Sequence, residues 1–218
     1  MHAPCTRLLT RRHPSLRSPP PILTPQGCYA TGSQLALAPL VRAGLITAQQ
    51  AEPRVFGVSG YSGAGTNPSP KNDPAVLKDN LIPYALTGHI HEREVSKQLG
   101  LPITFMPHVA PHFRGISLTV SAELAAPGLD GEAIRELYAE FYANEPLVHV
   151  HAAGYDEVPS VQAIANQHHV ALGGFVVDEA QQKVVVVSCI DNLLKGAATQ
   201  AVQNANIILG LPEYEGID

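Results

Sequence analysis

The chain has 218 residues, 45% of them hydrophobic and 15% charged, a balance typical of one compact domain or slightly more. Its formal net charge of −5 gives no indication of a nucleic-acid or membrane-surface partner. No segment approaches the roughly 20 consecutive apolar residues of a membrane span. The three cysteines, Cys5, Cys28 and Cys189, lack the paired spacing of a disulfide framework or a zinc ribbon and favour a reducing compartment.

The first 25 residues differ in composition from the rest. They carry four arginines (Arg7, Arg11, Arg12 and Arg17), six prolines and no acidic residue, whereas residues 26–218 have a net charge of −9. An Arg-rich, Ser-containing, acid-free start is typical of a mitochondrial transit peptide. The alternatives are a disordered extension or translated sequence foreign to the protein. We expect residues 1–25 to be disordered, and the protein to reside in the mitochondrial matrix, with the cytoplasm as the alternative.

Cys28 lies where the first helix is predicted to begin. Apolar residues recur at helical spacing from Leu35 to Leu45, and the helix is expected to end near Gly44. Unpaired backbone N–H groups and the positive end of the helix dipole meet at such a start, so we expect the pKa of Cys28 to fall below its free value of about 8.5. The functional interpretation is a nucleophile, and the alternative is a buried structural cysteine.

A strand over Arg54–Ser59 leads into the glycine-rich segment Gly60–Gly65. Its spacing is not G-x-G-x-x-G, and Thr66–Pro70 that follows cannot open a phosphate-binding helix, which excludes a dinucleotide fingerprint here. Glycines in such a loop let the backbone approach a ligand closely, although a surface turn is the plainer explanation.

The remaining elements alternate between helices and strands and predict an α+β fold with an antiparallel or mixed sheet and helices on one face. In chain order they are a loop or short strand (Asn80–Leu86), a helix opened by Thr87–Val95 and ending at Gly100, strands Ile103–Val109 and Ile116–Leu124, a helix capped by Asp130 and running to Tyr142, a strand (Leu147–His151), a hairpin (Ala171–Val177 with Lys183–Cys189), and a helix from Asp191 to Leu209.

Eight of the ten histidines fall between residues 89 and 169. His149 and His151 would face the same side of a strand, so a metal site is conceivable there. No third ligand accompanies them at a recognisable spacing, and we predict no metal site.

Several segments together resemble N-acetyl-gamma-glutamyl-phosphate reductases. They lie in the family's order and are Gly27–Leu40, Ser59–Gly65, Gly88–Glu94, Phe105–Ile116 and Asp191–Ala198. The chain departs from the family pattern before the cysteine, where Pro25-Gln26 replaces Asn-Pro. It departs again in the histidine segment, where Ile90 replaces Arg and Arg93 replaces Pro.

The resemblance implies a role for each matched residue. Cys28 would be the acyl-accepting thiol and His89 the acid/base residue, with His91 and Glu94 orienting it or binding substrate. Ser59, Gly60, Ser62 and Gly63 would lie near the substrate. Arg114 would hold its phosphate or carboxylate, unless it only satisfies strand-end carbonyls. Asn192 would contact the nicotinamide carboxamide; without the match, Asp191 is simply a helix N-cap.

The resemblance also implies a reaction and a domain plan. A thioester forms when the thiolate attacks N-acetyl-gamma-glutamyl phosphate, and NADPH then reduces it to the semialdehyde, a step in arginine biosynthesis. Residues 26–190 would be a semialdehyde-dehydrogenase-like catalytic and dimerisation domain, and residues 191–218 a helix that in the family returns to the cofactor domain.

The family places a Rossmann unit before the cysteine. Only 27 residues precede Cys28, fewer than the about 30 that one such unit needs, so we expect that half to be missing and the chain to be impaired as a reductase. A homo-oligomer is expected. The alternative is a non-catalytic oligomerisation module, or a truncated gene model of the same family.

Overall fold

The computed structural model describes residues 11–12, 23–24 and 26–217. The strands are β1 Arg11–Arg12, β2 Leu23–Thr24, β3 Arg54–Gly60, β4 Ile82–Pro83, β5 Thr104–Ala110, β6 Ile116–Glu123, β7 Val148–Ala153, β8 Val170–Asp178 and β9 Lys183–Ile190. The α-helices are α1 Cys28–Arg42, α2 Pro74–Leu77, α3 Ile90–Leu99, α4 Gly131–Phe141, α5 Val161–Ile164 and α6 Thr199–Leu209. Short 3₁₀ turns cover Tyr61–Ala64 and Tyr155–Glu157, and a π-helical turn covers Leu194–Ala198.

Seven strands form one mixed sheet in the order β4-β5-β3-β6-β9-β8-β7. Two neighbouring pairs, β3 with β5 and β7 with β8, run parallel, and the other pairs run antiparallel. The predicted α+β class with a mixed sheet is therefore confirmed. The pair β1 and β2 forms a separate two-stranded sheet, with Arg11 opposite Thr24.

Helix α1 is the centre of the hydrophobic core. Every residue from Tyr29 to Leu40 is buried, including polar ones, because α1 packs on β6 and β9 on one side and against α3 and α4 on others. Gly32 allows the close approach to the sheet: a Cβ there would come within 2.5 Å of Leu118 Cδ1 on β6. The sequence of α1 is rich in Leu and Ala, as expected of a helix buried on all sides, and the buried hydroxyls of Thr31 and Ser33 donate to the carbonyls of Gly27 and Tyr29.

Two tyrosines of the α4 region bind the backbone of α1 where a proline interrupts it. Pro39 lies inside α1 and has no N–H, so the carbonyl of Leu35 loses its helical donor. The Tyr142 hydroxyl donates to that carbonyl at 2.7 Å, and the Tyr138 hydroxyl donates to the next carbonyl, that of Ala36. Both rings are buried, so the two bonds fix α4 against α1 without leaving the buried carbonyl of Leu35 unpaired.

The major predicted elements from Cys28 onward are confirmed, with bounds that differ by a few residues. The Asp130 cap is confirmed too, because its side chain accepts from Ala133 N at 2.8 Å. The short helices α2 and α5 and the two parallel strand pairs were not predicted. The expectation of disorder over residues 1–25 falls almost entirely outside the described residues and stays a prediction.

The sheet face away from α1 is partly open. Phe56 on β3 and Met106 on β5 pair in register and are each more than a third exposed, and Thr119 on β6 lies opposite Phe56. Among the described residues, no helix has the length and apolar character needed to cross a bilayer.

Candidate active site

A cavity of about 740 Å³ opens beside the start of α1. Four parts of the chain line it, and they are distant in sequence: the α1 start with Gln26 and Cys28, the glycine-rich turn after β3, the α3 residue His91, and the segment from Asn192 to Ala201. The fold brings them together because β3 and β9, which precede two of these segments, both pair with β6 in the centre of the sheet.

Cys28 is the first residue of α1, as predicted, and its side chain is partly buried. Burial raises the pKa of the Cys28 thiol to about 11; the backbone N–H groups of Tyr29 and Cys28 lower it, and the Glu94 carboxylate raises it. The prediction of a lowered pKa is therefore wrong. The helix start acts in the expected direction, but desolvation of a thiolate outweighs it.

His91, rather than His89, shares the cavity with Cys28. Its Nε2 packs against Gly27, the residue before the cysteine, so closely that no side chain would fit at position 27. Its Nδ1 is buried without a hydrogen-bond partner. Burial, then the charge of His89, lowers the pKa of His91 to about 4, so the ring is neutral near pH 7.

His89 holds the start of α3 in place and lies behind His91. Its Nδ1 accepts from His91 N at 3.1 Å as the helix N-cap, and its ring packs edge-on against Tyr29, Tyr84 and Phe105. It is not among the residues that line the Cys28 cavity. Burial lowers the pKa of His89 as well, with Lys71 adding to the effect and Glu92 opposing it.

Another wall of the cavity is formed by Asn192 together with the turn that follows β3. Asn192 Nδ2 donates to Ser62 Oγ at 2.9 Å, and its Oδ1 accepts from Gly115 N at 2.7 Å. Gly63 lies close behind, and a Cβ there would come 2.8 Å from Ser59 Oγ. Ser62, Gly63 and Asn192 therefore line the cavity as one hydrogen-bonded unit, while Ser59 and Gly60 support it from the end of β3.

Besides Ser59 and Gly60, two more predicted substrate-binding residues, Arg114 and Glu94, lie outside the cavity lining. Arg114 forms an ion pair with the fully buried Asp191, at 3.4 Å from Nε to Oδ2, and donates to Asn166 Oδ1. Glu94 accepts from Gly27 N at 3.4 Å, beside the cysteine but behind it. Asp191 also accepts from Leu193 N and Leu194 N, so it caps the turn that carries Asn192, as its sequence position indicated.

The histidine-rich edge of the sheet is separate from this site. The rings of His149 and His169 stack with centroids 3.7 Å apart. Among the described residues, no group of three or more His, Cys, Asp or Glu side chains has an arrangement that could hold a metal ion.

Gln26 and Gly196 are cavity residues that the sequence did not single out individually. Gln26 is almost fully buried, Gln34 donates to its Oε1, and its Nε2 is buried without a hydrogen-bond partner. Gly196 packs on Cys28. Gly196 lies inside a matched segment, which was the available signal; Gln26 lies where the chain departs from the family pattern and carried none.

Residues 28–192 match the model of the semialdehyde dehydrogenase dimerisation domain. The N-acetyl-gamma-glutamyl-phosphate reductase of Xanthomonas campestris pv. campestris (strain B100) is 58% identical over 191 residues, which are 88% of this chain and 57% of that protein. The reductase of the same description from Xylella fastidiosa (strain M23) is 56% identical over 88% of this chain and 55% of its own length. The chain thus spans a little more than half the length of these curated relatives.

Solved structures confirm the fold at low sequence identity. Aspartate semialdehyde dehydrogenase II from Vibrio cholerae aligns with a TM-score of 0.66 at 20% identity, over 85% of this chain and 62% of that one. The enzyme from Francisella tularensis gives 0.66 at 18% identity, over 85% and 64%. The chain belongs to the semialdehyde dehydrogenase dimerisation-domain family, and its resemblance to N-acetyl-gamma-glutamyl-phosphate reductases is confirmed.

Proposed function

We propose that this chain carries the thiol chemistry of an N-acetyl-gamma-glutamyl-phosphate reductase. The observation that supports it most directly is the placement of Cys28, at a helix start in a cavity that also holds the neutral His91 and the Ser62–Asn192 pair. The names of its relatives give the acyl phosphate that such a thiol would receive. Acyl transfer to a thiol divides one difficult reduction into two easier steps.

In the first step the Cys28 sulfur attacks the acyl carbon, and the bond from that carbon to the phosphate oxygen breaks. Phosphate leaves with the electron pair, and a thioester remains on Cys28. The thiol proton passes to His91, whose neutral ring can accept it. Backbone N–H groups at the α1 start would stabilise negative charge on the acyl oxygen.

The raised thiol pKa and the lowered imidazole pKa keep the proton on sulfur in the free protein. An anionic acyl phosphate beside His91 favours the imidazolium, because an opposite charge a few ångströms away raises a histidine pKa. Substrate binding therefore makes the His91 ring a better acceptor of the thiol proton. Because the same anion disfavours a free thiolate on Cys28, the proton leaves the thiol as the sulfur attacks rather than before it.

The second step needs a hydride donor. When bound, NADPH supplies the hydride that reduces the acyl group to an aldehyde. The wall made by Ser62, Gly63 and Asn192 fits a nicotinamide, since glycine leaves room for a flat ring and Asn192 Nδ2 has one N–H beyond that used by Ser62. These residues would hold that end of the cofactor. The C-terminal segment 191–218 would return to a cofactor domain, in keeping with the exposed apolar residues Ile208 and Leu209 on α6.

The chain's partner in this proposal is a second copy of itself. The half-open sheet face with Phe56 and Met106 supports this, as does the description of the family as a dimerisation domain. A mitochondrial location rests on the Arg-rich, acid-free composition of residues 1–25, and import of the chain into isolated mitochondria tests it.

The deciding experiment incubates the chain with acetyl phosphate, a small acyl phosphate, and measures intact mass and phosphate release. We expect one acyl group, mapped to Cys28, and none on the Cys28→Ser variant. Equal phosphate release by the two proteins would contradict the proposal. A dimer without thioester formation would instead favour the non-catalytic oligomerisation module.

A further inference from the structure

Lys195 is a buried cation on the inner side of the C-terminal helix. Only 1% of its surface is exposed, and its Nζ donates to Gln200 Oε1 at 3.0 Å and to Gln203 Oε1. A buried charge is costly unless its hydrogen-bonding partners are in place. The polar residues on this side of α6 are those partners, so α6 is unusual in burying its polar face.

The hydrogen bonds from Lys195 continue to the end of the chain. Gln203 Nε2 donates to Glu213 Oε1 at 3.0 Å, and Asn206 Nδ2 donates to the Glu213 and Glu215 carbonyls at 3.0 and 2.9 Å. Burial raises the pKa of Glu213, while Gln203, Lys195 and Tyr214 lower it. Lys195, Gln203 and Glu213 thus form a connected cation–amide–carboxylate series.

Lys195 also belongs to the turn that covers Cys28. The next residue, Gly196, packs on Cys28, and Gly196 N donates to the Asp191 carbonyl at 2.9 Å. Asn192, Leu193 and Gly196 line the cavity, whereas the Lys195 side chain points to α6 on the other side of the turn. The turn is therefore held at its start by Asp191 and at its middle by Lys195.

We propose that Lys195 is a positioning residue that holds the turn from Asn192 to Ala198 against Cys28 and so sets how reactive the thiol is. The inference rests on Cys28 being the reactive group of the proposed function. Lys195 touches neither the thiol nor the cavity, and it acts by keeping the cover over Cys28 closed. A lysine that served stability alone would leave the chemistry of Cys28 unchanged in the folded protein.

The experiment measures iodoacetamide alkylation of the full chain between pH 7 and 10, with peptide mapping to separate the cysteines. Lys195→Met keeps the length of the side chain and removes its charge. We expect Cys28 to react about tenfold faster at pH 8, because a looser cover lets water solvate the thiolate and so lowers the thiol pKa. Lys97→Met, at an exposed site on α3, is the matched control and should match the wild type.

Cys189 reports on unfolding in the same sample. It is fully buried, and burial raises its pKa to about 11, like that of Cys28. Faster alkylation of Cys28 alone supports the proposal. Acceleration of both thiols by the same factor, or of neither, overturns it.

If Lys195→Met does not fold, Glu213→Gln tests the same hydrogen bonds from their far end, where the side chain is only half-buried. We expect Cys28 to be alkylated about threefold faster than in the wild type and Cys189 at an unchanged rate. Wild-type alkylation rates for both cysteines overturn the proposal. Acetyl phosphate applied to the same samples tests the proposed function separately from the role of Lys195. Absence of a thioester on the wild type contradicts the proposed function, whereas the alkylation profiles alone decide the role of Lys195.

Discussion

Gly196 lies in van der Waals contact with Cys28: a Cβ at position 196 would sit 2.7 Å from Cys28 Cβ and 3.2 Å from the Asp191 carbonyl oxygen. Gly196→Ala must therefore displace the turn or the cysteine. We expect the free energy of unfolding to fall by about 1–3 kcal/mol, the usual cost of overpacking. We also expect at least about tenfold slower thioester formation with acetyl phosphate, since small displacements of reacting groups are costly. Ala205→Ser, at an exposed position of α6 outside the cavity lining, is the control, and an unchanged rate for Gly196→Ala would contradict the prediction.

Replacing His91 and His89 in turn by asparagine distinguishes their roles in thioester formation. His91→Asn should slow thioester formation by about 10²-fold, the lower end of what a positioned acid–base residue contributes. His89→Asn should slow it far less, because asparagine can replace the ring as the helix N-cap. The measurement is the initial rate of acylation by intact mass. A larger loss in the His89 variant would return the acid/base role to that residue.

The hydrogen bond from Tyr142 to Leu35 should be worth more when Pro39 is present. Tyr142→Phe leaves the Leu35 carbonyl without a donor, and we expect a loss of about 1–3 kcal/mol in the free energy of unfolding. In the Pro39→Ala background the helix supplies its own N–H, and the loss should fall to below about 1 kcal/mol. Urea unfolding of the four proteins gives the coupling. Equal losses in both backgrounds would show that the proline has no part in it.

Stability should fall in mild acid, chiefly because of two histidines, His91 and His169. Burial is the main cause that lowers the pKa of His91 and of His169 to about 4, with His89 adding to the first and His149 and His151 to the second. The unfolded values are about 6.5, so between pH 6.5 and 4 the unfolded chain binds protons that the folded chain does not. The free energy of unfolding therefore decreases as pH falls through that window. Urea unfolding at pH 7, 6, 5 and 4 measures it, and His169→Asn should flatten the curve; a flat wild-type curve would contradict this account.

Phe56→Glu should weaken self-association. The side chain is 37% exposed on the open sheet face and packs against His108, and a carboxylate there would be desolvated by a second copy. We expect light scattering to show a dimer for the wild type and a monomer for the variant at equal concentration. Val158→Glu, at an exposed site in the loop after β7, should stay dimeric. If Phe56→Glu dimerises as the wild type does, another surface forms the contact.

Local patterns were enough to predict most elements, because their signals are local. Ile116, Leu118 and Val120 alternate with polar residues along β6, which predicts a strand. Asp130 is a typical N-cap and predicts the helix that follows it. Strand order was not predictable in the same way. β3 pairs with both β5 and β6, once parallel and once antiparallel. Both pairings depend on contacts between residues 50 to 67 positions apart in the chain.

The sequence predicted several residues of the candidate site correctly, but it did not predict how they are arranged. Cys28, Ser62, Gly63 and Asn192 do line one cavity, but the choice of His89 over His91 could not be made from their spacing. His89 packs against Tyr84 and Phe105, whereas His91 lines the cavity, and this difference depends on how α3 is placed in the fold. The predicted direction of the Cys28 pKa shift was wrong for the same reason. A helix start can be predicted from the sequence, whereas the depth of its burial cannot.

The central position of α1 imposes an order on biosynthesis. Ribosomes make Cys28–Arg42 before any strand of the main sheet, yet β9, one of the two strands that cover it, is made about 140 residues later. At typical synthesis rates of about 5–20 residues per second, its apolar surface stays uncovered for about 7 to 28 seconds. Folding must then form contacts between residues far apart in the chain, which makes it slow. Until those contacts form, α1 is the segment that a chaperone would have to protect.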